Sequence, residues 1–309
     1  MRFATGLPGA DRYPPITADW EREMGPEDFQ LVARTADDLG FDCISMSEHI
    51  VMPIDMAELM GPFWSHAMTA MAFVAGATSR IEVDSAVIVL PYHHPVVLAK
   101  AVSTLDLLSG GRVRLSIGVG HAEREFEVLG APYHERGRLT DEYLAAMIEL
   151  WTEEEPKYHG RYVGFEDVAF EPKPVQRPHP PIIIGGNSEA AMRRAARHDG
   201  WFPWLITAEQ LRGCLDHIRS LPEFEARTRP FEVVMPLTTL AVDEDHRPLS
   251  GDAGRPGAPQ STQETIDTVG RLREIGVTQT MVPMPPARSL GEHLEALHRI
   301  ADEIIPVFR

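Results

Sequence analysis

Cysteine is nearly absent. Cys43 and Cys214 are the only two in 309 residues, and their separation suits neither a metal clip nor a disulfide framework. Both are expected to be small buried hydrophobes. No apolar run is long enough to span a bilayer, and the opening MRFATGLPGADRYPP lacks the hydrophobic stretch of a secretory leader. The chain therefore reads as cytoplasmic. Basic residues are in deficit, 29 Lys and Arg against 46 Asp and Glu, for a formal charge of −17. That argues against nucleic acid and anionic membrane surfaces as main partners. It leaves a small-molecule substrate open, because a pocket can be locally basic on an acidic protein. There is no serine elbow, no Walker loop and no zinc spacing. Arg2-Phe3-Ala4-Thr5 also lacks the His-x-His pair usual on the first strand of a barrel metallohydrolase, so no metal is expected.

With 43% hydrophobic residues the chain can bury a substantial core without staples. Its organising stretch is 79–130. Two apolar runs, 81–90 and 112–117, read as buried strands. Between them Val97, Leu98, Ala101, Val102, Leu105 and Leu108 keep a 3.6-residue rhythm. Strand, helix and strand with a long crossover make a parallel βαβ unit. Further strands are expected at 2–6, 42–47, 181–186, 200–205, 231–242 and 278–284. Helices are expected at 26–40, 66–77 and 140–151, and from 188 through 196. In the second of these, Met68, Met71, Ala72 and Ala75 form a core stripe. Three more helices open on the capping-box spacings Thr207 to Gln210, Ser261 to Glu264 and Ser289 to Glu292. An insertion about 152–181, with a small hairpin and five prolines, and a loop excursion about 243–260 interrupt the alternation. Eight strands, most followed by a helix, predict an α/β fold, a single (β/α)8 TIM barrel over 1–309. A doubly wound sheet would want a glycine-rich fingerprint after its first strand, and Gly6-Leu7-Pro8-Gly9 is not one.

In such barrels chemistry gathers at the carboxyl ends of the strands. Gly185-Gly186-Asn187-Ser188 lies between a strand and a helix start. Bare amides there can close on an anion, or the pair can simply be a tight turn. Gly118-Val119-Gly120 would let a flat ligand approach the backbone. His121, directly behind, is a candidate for ring contact or proton handling, against an exposed loop histidine. His49, after Ser47-Glu48, titrates near neutrality and could exchange a proton with substrate, or be a satisfied structural histidine. In His93-His94 the second is a helix-cap neighbour of Pro95. Phe63, Trp64, Trp201 and Trp204 could wall a pocket or serve as core.

The run LPYHHPVVLAKAVSTLDLLSGGRVRLSIGVG, followed by EFEVLG, ERGRLTDEYL and PVQRPHPPIIIGGNSEAAMRRAARHDGW, resembles the luciferase-like monooxygenase superfamily over nearly the whole chain. Its flavour is that of the coenzyme F420 (deazaflavin) branch. The resemblance implies a luciferase-like barrel with a flavin-type ring in its mouth, and an F420-dependent oxidoreductase passing hydride to or from a small organic substrate. An FMN-dependent monooxygenase served by a separate reductase is the second reading. A non-catalytic flavin-binding protein is the third. Family amides that hold the cofactor phosphate map to Gly185, Gly186, Asn187 and Ser188. A non-prolyl cis peptide behind the ring is expected near Ser85–Ala86, with Ser47, Gly118, Gly120 and His121 also lining the cofactor. His49 and His121 map to the catalytic positions. The deazaflavin tail is anionic, and Arg193, Arg194 and Arg197 could offset the chain's charge or form a solvated helix face. The resemblance also suggests a homodimer.

Overall fold

The structure is a computed structural model that describes residues 1–204, 206, 208–236, 261–282 and 284–309. Eight short, apolar strands pair in parallel and close on themselves. They are β1 (Arg2–Gly6), β2 (Cys43–Met46), β3 (Glu82–Val89), β4 (Val113–Gly118), β7 (Ile182–Gly185), β8 (Gly200–Phe202), β9 (Glu232–Pro236) and β10 (Gln279–Met281). The ring closes where β1 pairs β10 on one side and β2 on the other. Both faces of each strand are covered, which is why β4 is buried along its whole length and reads as a continuous run. The chain is a (β/α)8 barrel, as expected. Between β4 and β7 a separate antiparallel pair, β5 (Tyr158–His159) with β6 (Gly164–Phe165), forms the expected hairpin.

Helix punctuation follows local chemistry. Pro26 opens the first long helix, and Gly110 ends Pro95–Ser109 in the left-handed conformation. Ser261 and Glu264 make a full reciprocal capping box. At Ser289 only half of the box forms, because Glu292 accepts from the Arg288 amide instead. Thr207 and the excursion at 243–260 lie outside the described residues. Two short helices, Ile54–Met60 and Glu123–Leu129, stand in stretches where no helix was expected. Val97 and Leu108, read as inward, are 67% and 78% exposed, because of the six apolar residues the helix turns only Leu98, Val102 and Leu105 fully to the barrel, with Ala99 beside them. Ala72 likewise faces out, and Val74 joins Met68, Met71 and Ala75 in the core stripe. Cys43 is buried, but Cys214 is only half-buried. Among the described residues no helix is long and apolar enough to cross a membrane.

One buried histidine sets a pH dependence. His293 packs 5.6 Å from the Trp20 ring, and its Nε2 is buried with no hydrogen-bond partner among the described residues. Burial pushes its pKa down to about 4. The unfolded chain takes up this proton below pH ~6.5 and the folded chain does not, so stability falls as pH drops from there to about 4. The expected loss is about 3 kcal/mol at 1.36 kcal/mol per unit. Urea unfolding between pH 7 and 4 should show this slope, and His293→Gln should remove its share, leaving that of His198, whose pKa burial also pushes down to about 3.

Candidate active site

The segment after β2 is extended, so its successive side chains diverge. Ser47 Oγ donates to Asp11 Oδ2 in the loop after β1. Burial raises the Asp11 carboxyl, and the Ser47 bond offsets only part of this. Glu48 turns toward β3. Its Oε2 accepts from the Val89 amide at 3.0 Å and lies 2.9 Å from His93 Nε2. His49 turns toward β4, where its Nδ1 lies 2.9 Å from Glu125 Oε2.

Glu125 is the hub. It sits fully buried in the short helix Glu123–Leu129 after β4. Its Oε1 accepts from the Ile50 and Val51 amides at 2.6 and 3.1 Å, and its Oε2 accepts from the Tyr92 hydroxyl at 3.0 Å. One carboxylate thereby ties together the loops after β2 and β3 and the helix after β4. Burial acts to raise its pKa, but the hydrogen bonds from His49 and the two amides outweigh it and hold the carboxyl below its ordinary value. Burial and the adjacent Glu125 push the Tyr92 hydroxyl up, so it stays a neutral donor. With Glu125 ionised and acceptor-only, the proton between it and His49 resides on Nδ1. Nε2 is then the nitrogen able to exchange a proton. The Trp64 ring meets the His49 ring nearly edge-on at 4.7 Å. His121, exposed, meets it edge-on at 5.9 Å, so the two predicted histidines do come together.

Behind this group β3 is irregular. Its register against β4 shifts between Ser85 and Ile88, and the non-prolyl cis bond joins Ala86 to Val87, one residue later than expected. Ser85 is fully buried and donates to Ser116 O at 3.0 Å, while Ala86 is partly open. The glycines after β4 have an occupant of their own chain. A Cβ on Gly118 would stand 2.7 Å from Val87 Cγ2. One on Gly120 (φ +78) would stand 2.6 Å from Val89 Cγ1 and 2.8 Å from the Phe126 ring. Gly120→Ala is therefore both strained and overpacked, with an expected loss of about 1–3 kcal/mol in urea unfolding.

At the carboxyl end of β7 the glycine turn is partly committed. The Gly186 amide (φ +110) donates to Phe202 O at 3.0 Å, so it is not the anion donor that the spacing suggests. The Asn187 side chain is tied to the Trp204 backbone through both its amide nitrogen and its oxygen. Ser188 caps the helix Glu189–Ala196, accepting from Ala191 N at 3.2 Å. The amides of Glu189 and Ala190, in the first turn, have no acceptor within the helix. Beside Gly185, 3.1 Å from where a Cβ would be, lies Val87 Cγ1, which connects this turn to the cis bond. The three arginines are engaged elsewhere. Arg194 and Arg197 pair with Asp141 and Arg193 with Glu189, so they form a bridged helix face and no tail receptor. Trp201 is core, with its Nε1 donating to Gly186 O, whereas Trp204 and Phe63 are 46% and 43% exposed.

Sequence reasoning missed Glu125, Glu48, Tyr92 and Asp11 as site residues. It also discounted His93, whose ring belongs to Glu48; His94 alone occupies the helix-cap position. Glu123, Glu125 and Glu127 share one short helix, and nothing along the chain marks Glu125 as the buried one.

A closed parallel barrel with a non-prolyl cis bond in β3 is the arrangement that the luciferase-like resemblance implies. The family model described as luciferase-like monooxygenase matches residues 2–253, and the chain belongs to that family. An uncharacterised protein of Mycobacterium tuberculosis is 30% identical over 288 residues, 88% of this chain and 92% of that one. The FMNH2-dependent dimethylsulfone monooxygenase of Pseudomonas putida is 36% identical over 160 residues, 50% of this chain and 42% of that enzyme. Among solved structures, the monooxygenase RslO1 from Streptomyces bottropensis superposes with a TM-score of 0.81 at 21% identity, covering 100% of both chains. An F420-dependent secondary alcohol dehydrogenase in complex with an F420–acetone adduct superposes with a TM-score of 0.75 at 16% identity, over 100% of this chain and 99% of that one. At these identities the superpositions speak for the fold.

Proposed function

We propose that the chain is an F420-dependent oxidoreductase in which His49, held by Glu125, exchanges a proton with a small organic substrate. The observation that carries this reading is the His49–Glu125–Tyr92 group, which fixes one tautomer of one imidazole at the barrel mouth. When bound, the deazaflavin supplies the hydride chemistry. The residues present fit such a group. Ala86 and Val87 offer a surface at the cis bond, and Ser188 with the Glu189 and Ala190 amides offers donors to its phosphate. Everything else falls to the protein. Glu125 orients the imidazole, Nε2 gives or takes the proton at the substrate oxygen, and Trp64 screens one side of the ring from water. Ser47 and His121 stay in the proposed cofactor lining, and His121 in the catalytic pair, whereas Gly118 and Gly120 make room for Val87, Val89 and Phe126 of the chain itself.

The second reading, an FMN-dependent monooxygenase, is favoured by the 36% identity to the dimethylsulfone enzyme across half the chain. Titrating purified protein with oxidised F420 and with FMN separates them. Saturable F420 binding at micromolar concentration with weak FMN binding supports the first, and the reverse supports the second. The homodimer is proposed on the resemblance alone, and sedimentation of the purified chain checks it.

A further inference from the structure

We propose that Glu48, His66 and His93 form a binding site for a divalent transition metal, zinc, on the flank of the barrel mouth. The donor atoms of these three side chains, one from each, all lie within 4.8 Å of one another. Two imidazoles and one carboxylate are a donor set that zinc accepts, and a tetrahedral ion keeps a fourth position for water or a substrate oxygen.

A second, independent observation points to a cation. Glu48 is buried, and while its Oε2 is engaged by Val89 N and His93, its Oε1 is buried with no hydrogen-bond partner among the described residues. An unpartnered carboxylate oxygen out of water is costly, and a cation is the partner that relieves it. His66 Nδ1 accepts from the Thr69 amide at 3.4 Å and lies 3.1 Å from Thr69 Oγ1; a metal on Nε2 shifts the ring proton to Nδ1, which then donates to Thr69 Oγ1 in place of that long cap. The His66 and His93 rings face each other nearly perpendicular, with centroids 6.1 Å apart. Tetrahedral zinc at about 2.0–2.1 Å from each donor sets them roughly 3.3 Å apart, so the group must contract modestly. His66 supplies that movement, because it is exposed at a helix start while the other two are anchored.

The donors come from three different loops, and no chain spacing betrays them. The proposal does not depend on which redox cofactor the mouth takes. Nor does it assign the ion a step in hydride transfer.

The test uses chelator-stripped, refolding-free protein titrated with zinc chloride against a chromogenic zinc indicator. One equivalent should bind at micromolar or tighter affinity. His66→Ala and His93→Ala should each weaken it by more than about a hundredfold, beyond the roughly 10–100-fold that loss of a mere supporting group costs. His134→Ala, at an exposed pair with Glu123, should bind as the wild type does. Cobalt(II) in place of zinc should give the visible bands of a tetrahedral ion, absent from the His66→Ala protein. If His93→Ala does not fold, the exposed His66→Ala variant carries the test. No uptake at tens of micromolar zinc, or equal uptake in wild type and His66→Ala, overturns the proposal. Failure of F420 or FMN to bind would leave zinc uptake unaffected, so the two claims fail separately.

Discussion

Replacing Glu125 with alanine is expected to cost about 3–5 kcal/mol of unfolding free energy, the loss that follows when one partner of a buried pair is removed. The size follows from what is stranded. The Ile50 and Val51 amides, the Tyr92 hydroxyl and His49 Nδ1 all lose their acceptor at once, in a place that little water reaches. Glu125→Gln is gentler, because the amide oxygen still accepts from the loop while its nitrogen opposes His49. The charge leaves its own mark on pH dependence. The folded pKa lies below the unfolded value, so Glu125 contributes stability above pH ~4.5 that is lost as pH falls through the depressed folded value. Urea titrations at pH 7 and along the acid limb below pH ~4.5 measure both effects. A glutamine variant as stable as wild type at pH 7, with an unaltered acid limb, would mean the carboxylate is not the hub described.

His49→Asn should leave the fold nearly intact and lower turnover by about 10²–10⁴, the range for loss of a positioned general acid or base. Cofactor affinity should stay within about twofold, because the imidazole is assigned to the substrate proton and not to the ring. The measurement is the rate at which a panel of ketones, enones and secondary alcohols turns over the bound cofactor, with its dissociation constant determined in parallel. An unchanged rate with weakened cofactor binding would reassign His49 to the cofactor pocket.

The barrel was legible because its strands are short apolar runs buried on both faces, which any sequence pattern displays. Helix ends were legible where Pro26, Gly110 and Ser261 act through their own backbone geometry. The histidines at the mouth could be found from their place after strand ends. Their partners could not. Glu125 reads as one of several acids in a charged helix, and its burial is decided by the loop from Glu48 to Val51 folding over it. His93 was passed over beside His94, the cap neighbour, because the residue it meets, Glu48, is contributed by another strand end. The Gly186 amide looked available since nothing in its neighbourhood along the chain announces Phe202 O. In each case the missing information is which loop lies against which, and that belongs to tertiary packing.

The most direct test of the account is a crystal structure of the protein soaked with oxidised F420. The account predicts the ring against the Ala86–Val87 bond with His49 Nε2 facing its reactive side, and the phosphate at Ser188 and the Glu189 and Ala190 amides. A ring bound outside the mouth, or a mouth that stays closed to the ring at saturating cofactor, would contradict it.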